Sequence, residues 1–320
     1  MTGKGVDGIW IDPVPQFIVG NVEEWAKAAS VIAERTPGYW FENPHNSLPT
    51  PRGWIPCPED KILYFMHGGG YVSMSARPDD IPAAIPRGIL EHCPAVKRCF
   101  SLEYRLATGY PFEAQNPFPA ALMDAVAGYN YLANYLDYPT SNIICAGDSA
   151  GGHLVLCLAR YLLTQNPEPS LVLPRALLLM SPWTDMACEP CTDPQSSLKK
   201  FASVDYVDPD LSVADYQVRA VAGPLLHSAS SNEYLSPASP LLTSSISFVG
   251  FPPTFILAGQ VETLGDQIRE LKDRIKKDVG EKEITYLESP DGVHDFLNFE
   301  WFEPQRTEAL KTISSWISGL

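Results

Sequence analysis

Gly147-Asp148-Ser149-Ala150-Gly151 is a G-x-S-x-G run set between two apolar stretches. Ile143-Ile144-Cys145-Ala146 before it has the length of a buried strand, and the run from His153 to Leu163 after it reads as a buried helix. A serine on so sharp a strand-to-helix turn needs small neighbours, which Gly147, Gly151 and Gly152 supply, and the turn leaves its hydroxyl exposed. The pattern predicts an α/β chain in which Ser149 is a nucleophile.

A second motif lies upstream. His67-Gly68-Gly69-Gly70 follows the apolar run Ile62-Leu63-Tyr64-Phe65-Met66. Glycines directly after a strand leave backbone N–H groups uncovered, and such groups stabilise an oxyanion. A serine hydroxyl also needs a base, and the base an orienting carboxylate. Of the six histidines, His67 belongs to the glycine loop, His153 to the helix after Ser149, and His45, His92 and His227 lack a strand-end setting. His294 follows the run Glu283-Ile284-Thr285-Tyr286-Leu287 and completes the order serine, acid, histidine. The acid is sought after the strand-like run Pro253–Gly259, where Glu262 and Asp266 compete. Glu262 stands nearer the strand end, whereas Asp266 falls in the next helix, where a carboxylate favours the first turn; Glu262 is the better placed of the two.

Apolar runs at 61–66, 96–102, 143–146, 176–181, 253–258 and 284–287 alternate with helical stretches at 119–136, 152–164 and 266–279. The alternation predicts a mostly parallel sheet with helices on both faces. Serine, acid, histidine and glycine loop then all follow strands, where open α/β sheets place ligands. Residues 1–45 and 187–250 do not fit the alternation. The first contains an amphipathic stretch, Asn21–Ala33, and the second is too long for an ordinary connection.

With these motifs in order, the chain resembles the hormone-sensitive-lipase-like esterases of the α/β-hydrolase superfamily, marked by HGGG and GDSAGG. Tyr104-Arg105-Leu106-Ala107 and Pro117-Phe118-Pro119-Ala120-Ala121-Leu122-Met123-Asp124 match a third family element, and the likeness runs from about residue 61 to the C-terminus. The resemblance implies an α/β-hydrolase fold and a carboxylic ester hydrolase working through an acyl-enzyme on short- to medium-chain esters. It implies catalytic Ser149, Glu262 and His294, an oxyanion hole of Gly68, Gly69 and Ala150, and a helical cap built from about 1–45 and 187–250. Glutamate in place of the usual first aspartate of the acid motif matches a variant associated with fungal members. A longer link at Thr108–Asn116 also departs from the family pattern and reshapes a surface loop.

The 320 residues, 45% of them hydrophobic, suffice for one domain with a large core. A net charge of −15 and a pI near 4.8 repel a nucleic-acid backbone or an anionic membrane. No stretch is long and apolar enough to span a bilayer, and Met1–Asp7 lacks a signal core; the reading is a cytoplasmic protein, with a homodimer as an option. The seven cysteines read as reduced thiols, and Cys188-Glu189-Pro190-Cys191, lacking a second pair, as a surface loop. No cofactor or metal is called for, and the partner is a small-molecule ester. Two rivals stay open: the same triad acting on an amide, formamide, lactone or thioester, and a non-catalytic small-molecule receptor on the same fold. Retention of Ser149, an acid and His294 favours the enzyme.

Overall fold

A computed structural model describes residues 2–3, 6–45, 57, 60–165, 169, 171–186, 193–207, 211–242 and 246–320. Cys188 and Cys191, and with them the Cys-x-x-Cys reading, lie outside the described residues. Six strands form the frame: β4 (Lys61–Met66), β5 (Val96–Leu102), β6 (Ile143–Asp148), β7 (Ala176–Met180), β8 (Thr254–Gly259) and β9 (Ile284–Ser289). They run parallel, in the spatial order β5-β4-β6-β7-β8-β9.

The run Ile62–Met66 is wholly buried, as a strand covered on both faces must be. Its two-residue period divides it between two cores. Ile62, Tyr64 and Met66 face the side covered by α3 (Ala120–Asn130), α4 (Ala150–Gln165) and α7 (Gly265–Val279). Leu63 and Phe65 face α2 (Ala84–His92) and α8 (Gln305–Ser318). In α7 the buried residues Ile268, Leu271 and Ile275 recur at helical spacing on an otherwise charged helix.

Three N-terminal strands extend the sheet: β1 (Thr2–Gly3), β2 (Val6–Ile11) and β3 (Thr36–Glu42), for nine strands among the described residues, with β3 antiparallel to β5. This corrects the expectation that residues 1–45 serve as cap. Without β3 the apolar β5 would present an open edge, and Tyr39, Trp40 and Phe41 are buried in closing it. Among the described residues up to Glu42, the stretch between β2 and β3 is the part that lies outside the sheet. It carries α1 (Gly20–Ala28), whose Trp25 ring packs on Phe118 at 5.6 Å and edge-on to Tyr234 at 5.2 Å. Tyr234 belongs to the long connection between β7 and β8, which also holds α5 (Ser197–Lys200) and α6 (Leu211–Ala222). Among the described residues no helix is long and apolar enough to cross a membrane.

Candidate active site

Ser149 joins β6 to α4 with φ at +49°, left-handed backbone that side chains other than glycine's adopt at a cost. Its surroundings hold it there: the Ser149 N–H donates to Met180 O at 2.9 Å, and its carbonyl accepts from Trp183 N and His153 N. Gly151 lies against β4 so closely that a Cβ there would stand 2.0 Å from Met66 O. The elbow and the end of β4 are thus in backbone contact, and only glycine permits it. Ser149 is 8% exposed.

The glycine loop is strapped to the elbow by the residue before the serine. Asp148 Oδ1 accepts the Gly68 N–H at 2.9 Å. That bond corrects one expectation, because Gly68 has no N–H left for an oxyanion. Gly69 keeps its own: among the described residues its N–H donates to no protein acceptor. Ala150 opens α4, where N–H groups have no partner within the helix. His67 is buried, stacked on Tyr104 at 4.3 Å, and its Nδ1 lies 2.7 Å from Gly68 O. Burial lowers its pKa to about 4, so it stays neutral. His153 is likewise buried, with its pKa lowered to about 4 by burial, and meets Tyr71 OH at 2.6 Å. Both are packing residues.

Glu262 follows β8 and is completely buried. Its Oε2 accepts from Ser181 Oγ at 2.6 Å and from Gly259 N at 2.9 Å, while Oε1 is buried with no partner among the described residues. Burial raises its pKa to about 7, against the opposing pull of His294 and the two hydrogen bonds. His294 follows β9. Burial would lower its pKa, but Asp295 and then Glu262 and Asp205 outweigh that and raise it to about 9. Its Nε2 lies 3.1 Å from Asp295 Oδ2, and its Nδ1 is buried with no hydrogen-bond partner among the described residues. Among the described residues no hydrogen bond joins His294 to Glu262 or to Ser149. The fold brings acid and histidine loops together, with the ring paired to its sequence neighbour.

Asp266, the competing acid, sits in the first turn of α7, where Oδ2 accepts Ser197 N at 2.7 Å and Oδ1 pairs with Arg269 at 3.1 Å. It fastens α5 to α7. Sequence reasoning missed four residues around Ser149, Glu262 and His294. Ser181, after β7, bridges the acid and histidine loops by donating to Glu262 and accepting Asp295 N at 3.1 Å. Asp148 and Asp295 are buried carboxyls whose pKa values are raised, by burial first; their mutual repulsion adds to the rise for Asp148. Asp205 reaches both loops from the β7–β8 connection. Asp148 stands inside the serine motif and Asp295 directly after His294, so both were open to notice; Ser181 and Asp205 are brought in by tertiary structure alone.

A family profile described as alpha/beta hydrolase fold matches residues 63–298, more than half of the chain. The chain belongs to this family. An acetyl-hydrolase of Streptomyces hygroscopicus is 28% identical over 263 residues, covering 81% of this chain and 76% of that protein. A crystal structure of an esterase/lipase from an uncultured bacterium superposes with a TM-score of 0.69 at 23% identity, covering 100% of this chain and 86% of its own. A hormone-sensitive lipase from a metagenome library gives 0.66 at 26% identity, covering 89% and 82%.

Proposed function

We propose that the protein is a carboxylic ester hydrolase in which Ser149, His294 and Glu262 act as the triad. Ser149 Oγ attacks the ester carbonyl while His294 takes its proton. The imidazolium returns that proton to the leaving alcohol, and the acyl-enzyme is then cleaved by a water that His294 activates. The oxyanion is met by the N–H groups of Gly69 and Ala150, while Gly68 spends its own in fixing the loop. Nδ1 of His294 and Oε1 of Glu262, both buried and without a hydrogen-bond partner among the described residues, are the pair whose bonding in the working enzyme orients the ring. Buried polar atoms pair wherever geometry allows, and this pairing turns Nε2 from Asp295 toward Ser149. The glutamate at the acid position supports a fungal-type member of the hormone-sensitive-lipase-like branch.

The observation that carries the reading is Ser149 itself, held at φ +49° on a strand-to-helix turn beside a glycine loop. The cap comprises the segment between β2 and β3 together with the β7–β8 connection, and a closed pocket of that kind suits short to medium acyl chains. Ser149→Ala is expected to abolish p-nitrophenyl ester hydrolysis by several orders of magnitude, and an organophosphate to label wild type once, at Ser149. A label on another serine, or turnover by the alanine variant, overturns the triad.

A further inference from the structure

Asp205 lies on the connection between β7 and β8, 8% exposed, and its carboxylate touches two separate loops of the site. Oδ2 accepts both the N–H of Thr263 at 2.7 Å and its Oγ1–H at 2.9 Å. Oδ1 accepts the N–H of His294 at 3.2 Å. Thr263 directly follows Glu262, so one carboxylate is bonded to the backbone beside the acid and to the backbone of the base. The segment is docked a second time nearby: Ser197 Oγ donates to Thr263 O at 2.8 Å, and Ser197 N and Asp266 Oδ2 meet at 2.7 Å.

We propose that Asp205 is a positioning residue for ester hydrolysis, clamping the Glu262 loop to the His294 loop so that docking of the cap segment and assembly of the triad are one event. The proposal rests on the triad reading above. Three donors converge on two oxygens, an arrangement that suits a carboxylate, whose two oxygens both accept; an amide would turn an NH2 group toward an N–H or O–H. A displacement of about 1 Å in a catalytic group is enough to cost about 10²-fold in rate. The carboxylate also lies on the backbone side of His294, where its charge favours the imidazolium that forms as Ser149 gives up its proton. Around that ring stand Asp295 and Asp148, Glu262, Asp205 and the Tyr206 ring at 5.8 Å. Asp205 is the only one of these carboxylates that hydrogen-bonds both loops from outside them.

The test uses full-length Asp205→Asn, with kcat and KM for p-nitrophenyl acetate measured from pH 5 to 10 and rates expressed per active site by burst titration. Asp205→Asn is expected to lower kcat about 10- to 100-fold with KM nearly unchanged. Loss of the negative charge lowers the His294 pKa, so the acid limb of kcat/KM moves to lower pH. Thr263→Val removes one donor and keeps the charge; it is expected to lower kcat several-fold without moving the limb, and Thr263→Ser to recover most of that loss. The Thr263 pair carries the test if Asp205→Asn does not fold. A loss confined to KM, an unmoved limb in Asp205→Asn, or equal rates for Thr263→Val and Thr263→Ser overturns the clamp. Failure of the triad itself reads out separately, as turnover by Ser149→Ala.

Discussion

His294 sits where several carboxyl groups compete for one imidazole, and the competition decides its protonation. Asp295 holds Nε2, the nitrogen that the proposed mechanism turns toward Ser149, and its charge is the foremost influence raising the pKa toward 9. Catalysis needs the neutral ring, so activity should climb with pH well above the ordinary histidine value of about 6.5. Asp295→Asn withdraws that charge: the His294 pKa falls, the acid limb of kcat/KM moves to lower pH, and kcat stays within about 10-fold. Glu262→Gln should instead cost about 10³- to 10⁴-fold in kcat, the scale of amidating a triad acid. Rate–pH profiles of both variants settle the roles; a collapse of kcat in Asp295→Asn with near-normal turnover in Glu262→Gln would reverse them. The same shift has a stability sign. A histidine whose pKa is raised by folding adds stability that is fully present below about 6.5 and lost as pH rises through about 9.

Elements rather than residues explain what the sequence disclosed. Strands β4 to β9 were legible as short apolar runs because parallel strands covered on both faces carry few polar residues. The positions of Ser149, Glu262 and His294 were legible with them, since each follows such a strand; the roles given to them are the proposal. β2 and β3 were not: Asp7 and Gly8 interrupt one and Pro37 and Gly38 the other, compositions tolerated toward the edge of a sheet. α2 is hidden by Pro86 and Gly88. Asp205 carries no local signal, because its partners are 58 and 89 residues away. The tightest constraint on any element is the crossing of the elbow over β4. Gly151→Ala would drive its Cβ to 2.0 Å from Met66 O and 2.6 Å from His67 O, both backbone atoms. Overpacking of this kind costs about 1–3 kcal/mol or more, and the shift falls on the loop that carries Gly69. Thermal unfolding should show that loss, together with a fall in kcat; unchanged values of both would refute the close packing.

Across the whole molecule, the two segments proposed as the cap are founded on one face of α4, the helix that follows Ser149. His153 Nε2 lies 3.2 Å from Leu235 O, Cys157 Sγ donates to Tyr234 O at 3.4 Å, and Arg160 pairs with Glu233 at 3.3 Å. Tyr161 OH donates to Phe17 O at 2.5 Å and accepts Val19 N at 2.8 Å, and Thr164 Oγ1 meets Tyr234 OH at 3.2 Å. Positions 153, 157, 160, 161 and 164 share one side of a helix, and they receive both inserts, the N-terminal one through Tyr161 and the β7–β8 one through the rest. The inserts touch each other at Trp25 and Tyr234. Trp25→Ala should therefore loosen the cap while leaving sheet and triad in place, at a cost of about 2 kcal/mol, below that of a fully buried tryptophan because Trp25 is only partly buried. With wild type, hydrolysis is expected to peak at acyl chains of about two to eight carbons, set by the finite volume of a capped pocket. In Trp25→Ala the discrimination against longer chains should weaken, with organophosphate labelling of Ser149 within a few-fold of wild type. Retention of the full chain-length profile despite the lost stability would mean that the contact between the inserts does not shape the pocket, and a long-chain optimum in wild type would sink the capped-pocket argument altogether.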